Sequence, residues 1–416
     1  MTRSSLCEFS KRIEKKYEQY RESAIQKHRF RHRDIVPLVE KFSGNSIFSV
    51  REAGKSFENR SIYSLRTGKG NRKVMLWSQM HGNESSATMA IFDICNFLAA
   101  NDEFEELRSQ ILNKLNICFI PMLNPDGAEV FKRVNAQYID INRDTLRLQS
   151  PEAKLLKLML DRFNPDFGFN LHDQDRHYSA GKSSNPASMS FLAPAFNHER
   201  TIDKLRENSM KVIAAMNHVL QQFIPAQVAK YSDAYNLQCF GDFIQKSGTS
   251  TILIESGNSI NDSEKQYIRK LTFISILSAL FSIAENSFEK FEINEYYQIP
   301  ENVKDFYDLI IRNAQIEKNG TKYTIDIAIN NEGLDFADHK TPDYKSIINN
   351  IGDLSNFFAY NDFDANGMLL VPCQYSLEKK KIMANTTLVL EGEANFVLQE
   401  NENPKYAVID GFLHNL

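Results

Sequence analysis

Between residues 60 and 288, short apolar runs alternate with longer stretches whose apolar residues recur at helical spacing. The runs SIYSLRTG (61–68), RKVMLWSQ (72–79), LNICFIPMLN (115–124), DFGFNLHDQ (166–174) and GTSTILIESG (248–257) have the length and content of strands, most of them buried. Between them, 85–101, 150–164, 198–223 and 262–288 read as helices. Ser85 or Ser86 is placed to cap the first of these, and Ser150 followed by Pro151 opens the second. Such alternation predicts an α/β fold with a largely parallel sheet covered on both faces. In open sheets of this kind, ligands bind beyond the carboxyl ends of the strands.

The ends of the chain read differently. Residues 8–27 are polar with scattered apolar positions, and predict an exposed helix. The basic run KHRFRHR (27–33) reads as a solvated face, since one short block is poor support for a nucleic-acid partner. Beyond residue 292 the texture becomes β-rich: Asn319-Gly320 sits between two alternating runs, a hairpin signal, and TTLVLEG, ANFVLQE and KYAVIDG read as short strands. The expected domains are an N-terminal helical segment (1–45), a catalytic domain (46–292) and a small β-rich accessory domain (293–416).

The 416 residues are enough for two domains, and 42% hydrophobic with 25% charged residues is the balance of an ordinary globular chain. A net charge of −4 gives no reason to expect nucleic acid or an anionic membrane as partner. No stretch approaches the length of a transmembrane span. The start, MTRSSLCEFSKRIEKKY, has no apolar segment of the secretory kind. Five scattered cysteines without a CxxC pair argue against a thiolate zinc site or a disulfide framework. A cytoplasmic location is the default expectation.

Three strand ends carry the residues with chemistry. His81 and Glu84 follow the run that ends at Gln79, His172 ends FGFNLHDQ, and Glu255 ends TILIESG. Each has an ordinary explanation alone, but together they offer two imidazoles, a carboxylate and a spare carboxylate. A catalytic zinc takes three protein ligands of this kind and keeps a position for water. A separate carboxylate must then move the proton. Ile252, Leu253 and Ile254 flank Glu255, so partial desolvation should raise its pKa. Arg133 and Arg143 follow the turn tetrad NPDG, and guanidinium groups bind carboxylates or oxyanions. Asp173, Asp175 and His177, beside His172, read as partners of the ligands or of substrate.

HGNE, NPDG, INRD, NLHDQ and LIESG, in this order, resemble the zinc carboxypeptidases of the M14 (carboxypeptidase A-like) family over roughly residues 50–285. The resemblance implies an α/β fold with a mixed, mostly parallel sheet flanked by helices, and one Zn2+ per chain. By motif, His81, Glu84 and His172 would be the ligands and Glu255 the general base and later acid. Asn142 and Arg143 would hold the substrate's terminal carboxylate, and Arg133 would face the oxyanion. The substrate-capping tyrosine would be Tyr231 or Tyr235. Gly241 or Asp242 lies nearest the position that selects the substrate side chain. The implied activity is hydrolysis of the C-terminal peptide bond. HGNE with NPDG also resembles the aspartoacylase and succinylglutamate desuccinylase branch, so a zinc deacylase of N-acyl amino acids is the alternative. A non-catalytic binding protein of the same fold is the second. The expected partner is a peptide or acylated amino-acid substrate, with neither nucleic acid nor membrane.

Overall fold

The computed structural model describes residues 2–333 and 344–416. The chain divides into two compact units, one of residues 1–176 with 185–302, the other of residues 177–184 with 303–416.

The first unit runs α1 (Arg3–Lys16), α2 (His32–Ser43), β1 (Phe48–Lys55), β2 (Ser61–Thr67), β3 (Arg72–Ser78), α3 (Ser86–Ala99), α4 (Glu105–Lys114), β4 (Leu115–Ile120), α5 (Pro125–Val130), α6 (Pro151–Phe163) and β5 (Phe167–Asp173). After β6 (Ser179–Ala180), which counts with the second unit, come β7 (Met189–Leu192), α7 (Lys204–Leu220), β8 (Val228–Lys230), α8 (Phe240–Lys246), β9 (Ser250–Ser256), α9 (Gln266–Ala284) and α10 (Ile293–Tyr297). Eight strands form one sheet in the order β1-β2-β4-β3-β5-β9-β7-β8. Its centre, β4-β3-β5-β9, is parallel throughout, and the antiparallel pairs lie towards its edges. The mixed, mostly parallel sheet expected from the sequence is therefore present. Val74, Leu76, Phe169 and Ile254 on the central strands are fully buried, as a sheet covered on both faces requires.

α9 is a correction to the sequence reading. It is long and apolar enough to cross a membrane, yet nearly all of it is buried inside this unit. Helices α3 and α9 are apolar almost all round because both lie in the core. α1 is a second correction: it ends at Lys16, and Leu6, Phe9 and Ile13 are buried, with the Phe9 ring 4.8 Å from that of Phe281 on α9. Three apolar residues at helical spacing outweigh its polar composition.

Residues 17–31, largely without regular structure, are held by a buried ion pair. Arg269 on α9 donates to Asp93 on α3 at 2.7 and 2.6 Å, and to the carbonyl oxygens of Ile25 and Glu22 at 2.6 and 2.9 Å. Asp93 also accepts from Tyr17 Oη and from the Glu22 main-chain N–H. The basic run at 27–33 is not the solvated face its composition suggests. Phe30 is buried, His28 hydrogen-bonds inwards and His32 lies within 2.8 Å of the Ser61 carbonyl oxygen, while Lys27 and Arg33 remain exposed.

The second unit is β-rich. Its nine-stranded sheet encloses Leu309, Ile311, Ile327, Ile329, Phe396 and Val408. The Asn319-Gly320 hairpin forms as the sequence predicts, joining Phe306–Lys318 to Thr321–Gly333, with φ of 53° and 75° at the two turn residues. ANFVLQE and KYAVIDG contribute strands, Phe396–Glu400 and Asn403–Ile409. TTLVLEG does not: residues 386–392 are irregular, and Val389 and Leu390 are exposed. Its β-branched content predicts a strand, but strand propensity depends on a neighbour to pair with.

The buried Arg269–Asp93 pair generates a stability prediction. Asp93→Ala leaves Arg269 charged, buried and unpaired, and should cost about 3–5 kcal/mol. Urea unfolding of the two proteins measures this, and a loss below about 1 kcal/mol would contradict the role given to the pair.

Candidate metal centre

Two close-packed loops build the site at the ends of β3 and β4. The HGNE loop leaves β3, and NPDG forms the first turn of α5. A Cβ on Gly82 would lie 2.0 Å from the main-chain carbon of Gly127, so the loops meet backbone to backbone. Asn124 locks them: its Oδ1 accepts from the Gly127 N–H at 2.8 Å, and its Nδ2 donates to the carbonyl oxygen of Met80 at 3.2 Å. The tetrad read as a plain turn thus also clamps the neighbouring loop.

His81, Glu84 and His172 converge. Nδ1 of His81 and Nδ1 of His172 each lie 2.7 Å from an oxygen of Glu84, and 3.1 Å from each other. All three residues are buried, and their donor atoms lie within 4.8 Å of one another. Two imidazole nitrogens and a carboxylate oxygen are the donor set of a catalytic zinc. His172 Nε2 is buried without a hydrogen-bond partner, but the other ring nitrogen of His81 faces Asp140 Oδ1 at 3.1 Å. A carboxylate in that place fixes the tautomer and orientation of a ligating imidazole. Asp140 directly precedes the INRD motif, and the sequence alone gives it no role. The signal was available, since a ligating histidine needs an acceptor, but nothing in the spacing placed Asp140 beside His81 rather than beside a ligand elsewhere. Asp173, read as a ligand's partner, does not accept from either ring: its main-chain N–H donates to Glu84 Oε2 at 3.2 Å.

Electrostatics suit a cation. Burial alone would raise the Glu84 carboxyl, but His81 and His172 hold it well below the usual carboxylate range. Burial likewise opposes ionisation of Asp140, and His81, Arg133 and Arg143 overcome it. His81 is raised: burial disfavours its charge, but Glu84 and Asp140 outweigh burial. His172 is lowered, burial being the larger effect.

Glu255 stands beside the cluster. β5 and β9 are parallel neighbours with His172 and Glu255 as register partners. Burial, then the charges of Glu84 and Asp173, raise the Glu255 carboxyl well above its ordinary value, with Arg133 and Lys265 acting against them.

Arg133 lies across the mouth of the cluster, its side chain 45% exposed, with Nη1 3.3 Å from Glu84 and Nε 3.0 Å from Asp140. Asn142 and Arg143 lie in the 3-10 turn Ile141–Arg143. Asn142 is buried and its Oδ1 accepts from the Phe240 N–H at 2.8 Å, tying the turn to the start of α8. Arg143 is exposed, donates to the Asn142 carbonyl oxygen, and its charge lowers both Asp140 and Asp242. Asp242 is buried in α8 and pushed up to about 6 by burial; Gly241 beside it faces Asn170 and Pro194. Tyr235 packs edge-on against His198 at 4.9 Å, and its hydroxyl accepts from Lys246. The Tyr231 N–H donates to the carbonyl oxygen of Phe191. None of these contacts joins either tyrosine to His81, Glu84 or His172.

Known proteins resemble this chain in sequence and fold. Residues 39–242 match the zinc carboxypeptidase family, Peptidase M14. This part of the chain belongs to that family. Carboxypeptidase 2 of Trichophyton rubrum is 30% identical over 153 residues, covering 34% of this chain and 27% of that protein. Carboxypeptidase SOL1 of Arabidopsis thaliana is 30% identical over 91 residues, covering 20% and 18%. The chain thus spans about a quarter of the length of the first curated relatives it matches. Among solved structures, a metallo-carboxypeptidase from Burkholderia cenocepacia shares the fold at TM-score 0.51 and 17% identity, over 62% of this chain and 70% of that one. A carboxypeptidase A-type protein from Shewanella denitrificans does so at 0.52 and 16%, over 63% and 71%. The family match includes the three clustered residues, Arg133, Asn142 and Arg143, but stops short of Glu255 and omits everything before residue 39.

The donor set predicts about one zinc per chain by elemental analysis, lost in His81→Ala with the fold retained. A metal can replace a proton on His81 only after deprotonation. Zinc affinity should therefore fall as pH drops through the raised His81 value, and a pH-independent affinity would contradict this. Protein without transition metal after zinc is supplied would exclude the site.

Proposed function

We propose that the chain is a zinc metallocarboxypeptidase that hydrolyses the C-terminal peptide bond of peptides, with His81, Glu84 and His172 as metal ligands. The observation that carries this reading is Glu255 in register beside His172, half-buried and raised in pKa next to a three-residue ligand set. Zinc held there would polarise the scissile carbonyl and make water acidic enough to attack at neutral pH. Glu255 takes the proton from the attacking water and delivers it to the leaving amine nitrogen as the C–N bond breaks. A carboxylate with raised pKa suits both halves of that transfer, since it takes the proton more readily than an ordinary carboxylate and still gives it up to an amine nitrogen. Arg133, partly exposed and within reach of Glu84, offers its guanidinium to the developing oxyanion. Arg143, exposed on its 3-10 turn, captures the substrate's terminal carboxylate. Asn142 supports that turn through its bond to Phe240 N–H. Tyr231 and Tyr235 remain the candidates for closing over bound substrate, on the family resemblance alone.

Glu255→Gln keeps the shape and removes the proton acceptor. Zinc content should stay normal and turnover fall by about two orders of magnitude or more, the scale of a lost general base. Near-full turnover in the variant would assign the base elsewhere.

Carboxylate capture gives a second test. A tri- or tetrapeptide with a free C-terminus should be cleaved, and its C-terminal amide should not. Arg143→Ala should lower kcat/KM for the free acid by roughly 10- to 100-fold, the scale of one hydrogen bond to a charged group, and so narrow the gap. Equal cleavage of acid and amide by the unmutated protein would remove Arg143 from its role. Turnover of N-acyl amino acids alone would assign the chain to the deacylases instead, and binding of peptide without turnover would identify a non-catalytic protein.

A further inference from the structure

The segment before residue 39 reaches the metal centre. It leaves the Arg269–Asp93 pair at Ile25 and arrives at the N-terminal end of α3 with His28. Ser85, at the position that should cap α3, makes no side-chain cap and instead donates its hydroxyl to the His28 carbonyl oxygen. The His28 N–H donates to Glu264 at 2.8 Å, and its ring packs edge-on against Phe131 at the end of α5, 5.2 Å between centroids. These contacts fix the imidazole, and its Nε2 lies 3.3 Å from Asp173 Oδ2.

Asp173 joins the two pieces of chain that carry Glu84 and His172. It directly follows His172 on β5. Its main-chain N–H holds Glu84 Oε2 at 3.2 Å, and its Oδ2 accepts from the Ser86 hydroxyl at 2.8 Å and from the Ser86 N–H at 3.3 Å. Lys265 Nζ lies 3.3 Å from the same oxygen. That oxygen is therefore a knot between β5, the start of α3, the approach to α9 and the N-terminal segment. Ligand atoms must be held to within about 0.5 Å for full metal affinity. Partners one bond removed from the ligands are what hold them there.

We propose that His28 is a positioning residue of the metal centre: through Asp173 it sets the placement of Glu84 and His172, so the N-terminal segment is a working part of the site rather than an appendage. This rests on the reading of the cluster as a zinc site. Ser86 and Lys265 also hold Asp173, so the expected effect is partial.

The test uses the full-length protein and its His28→Ala and His28→Gln variants, with zinc affinity measured by chelator competition and Co2+ absorption read in the visible. His28→Ala should weaken zinc severalfold, by up to about tenfold, because the range for direct partners of ligands begins there and His28 acts one step further out. It should shift the Co2+ spectrum and lower kcat on a free-acid tripeptide more than it changes KM. Gln, which keeps a donor, should restore most of the affinity. Should His28→Ala fail to fold, His28→Leu fills the space without a donor and carries the same expectation. Zinc affinity and Co2+ spectrum equal to the unmutated protein's, whatever the melting temperature, would overturn the proposal, as would failure of Gln to improve on Ala. If the unmutated protein itself binds no zinc, the functional reading falls first and this inference with it.

Discussion

One carboxylate joins two strands. Glu84, delivered by the loop after β3, sits between His81 from the same loop and His172 from the end of β5, at 2.7 Å from each. That convergence requires β3 and β5 to be parallel neighbours ending at the same level, as their register makes them. It also requires the loop after β3 to turn back at once over the sheet edge, which its backbone contact with the NPDG turn enforces. Two imidazoles, Glu84, Asp140 and Glu255 lie close together, and their charges push one another's pKa values apart: Glu84 and Asp140 are lowered, Glu255 and His81 raised.

Buried arginines hold what the sheet does not. Arg269, Arg206 and Arg108 are almost wholly buried, and each pairs with an aspartate: Asp93, Asp233 and Asp102. Each also donates to carbonyl oxygens of irregular chain, at Ile25 and Glu22, at Arg200, and at Asp102. A guanidinium has five N–H donors in a fixed plane, so it can neutralise one carboxylate and satisfy main-chain acceptors that no helix or strand provides for. The long stretch 17–31 keeps a defined course to the His81–Glu84–His172 cluster for this reason.

The central strands and the clustered residues were legible in the sequence because both are local in kind. A buried parallel strand must be a short apolar run, and a residue with chemistry at its end follows directly. What escaped was set by partners distant in sequence. The polar composition of α1 hid its buried Leu6, Phe9 and Ile13, and the basic run at 27–33 hid the inward His28 and Phe30. The core helix α9 passed unremarked as a candidate span, its burial being a property of the helices around it. TTLVLEG has the composition of a strand but stays irregular. Asp140 was read past because its partner lies 59 residues earlier in the chain.

The contact between Gly82 and Gly127 has an outcome for sequence change. A Cβ at position 82 would meet main-chain atoms of residues 127 and 128 at 2.0–2.5 Å, and one at position 127 would meet the Asn124 amide and the Val134 carbonyl oxygen at 2.5–2.6 Å. Backbone cannot be trimmed by a second substitution, as a bulky side chain can. Single or paired replacements at these positions therefore have no compensating partner elsewhere in the chain. Any library built to retune this protein should leave both codons untouched.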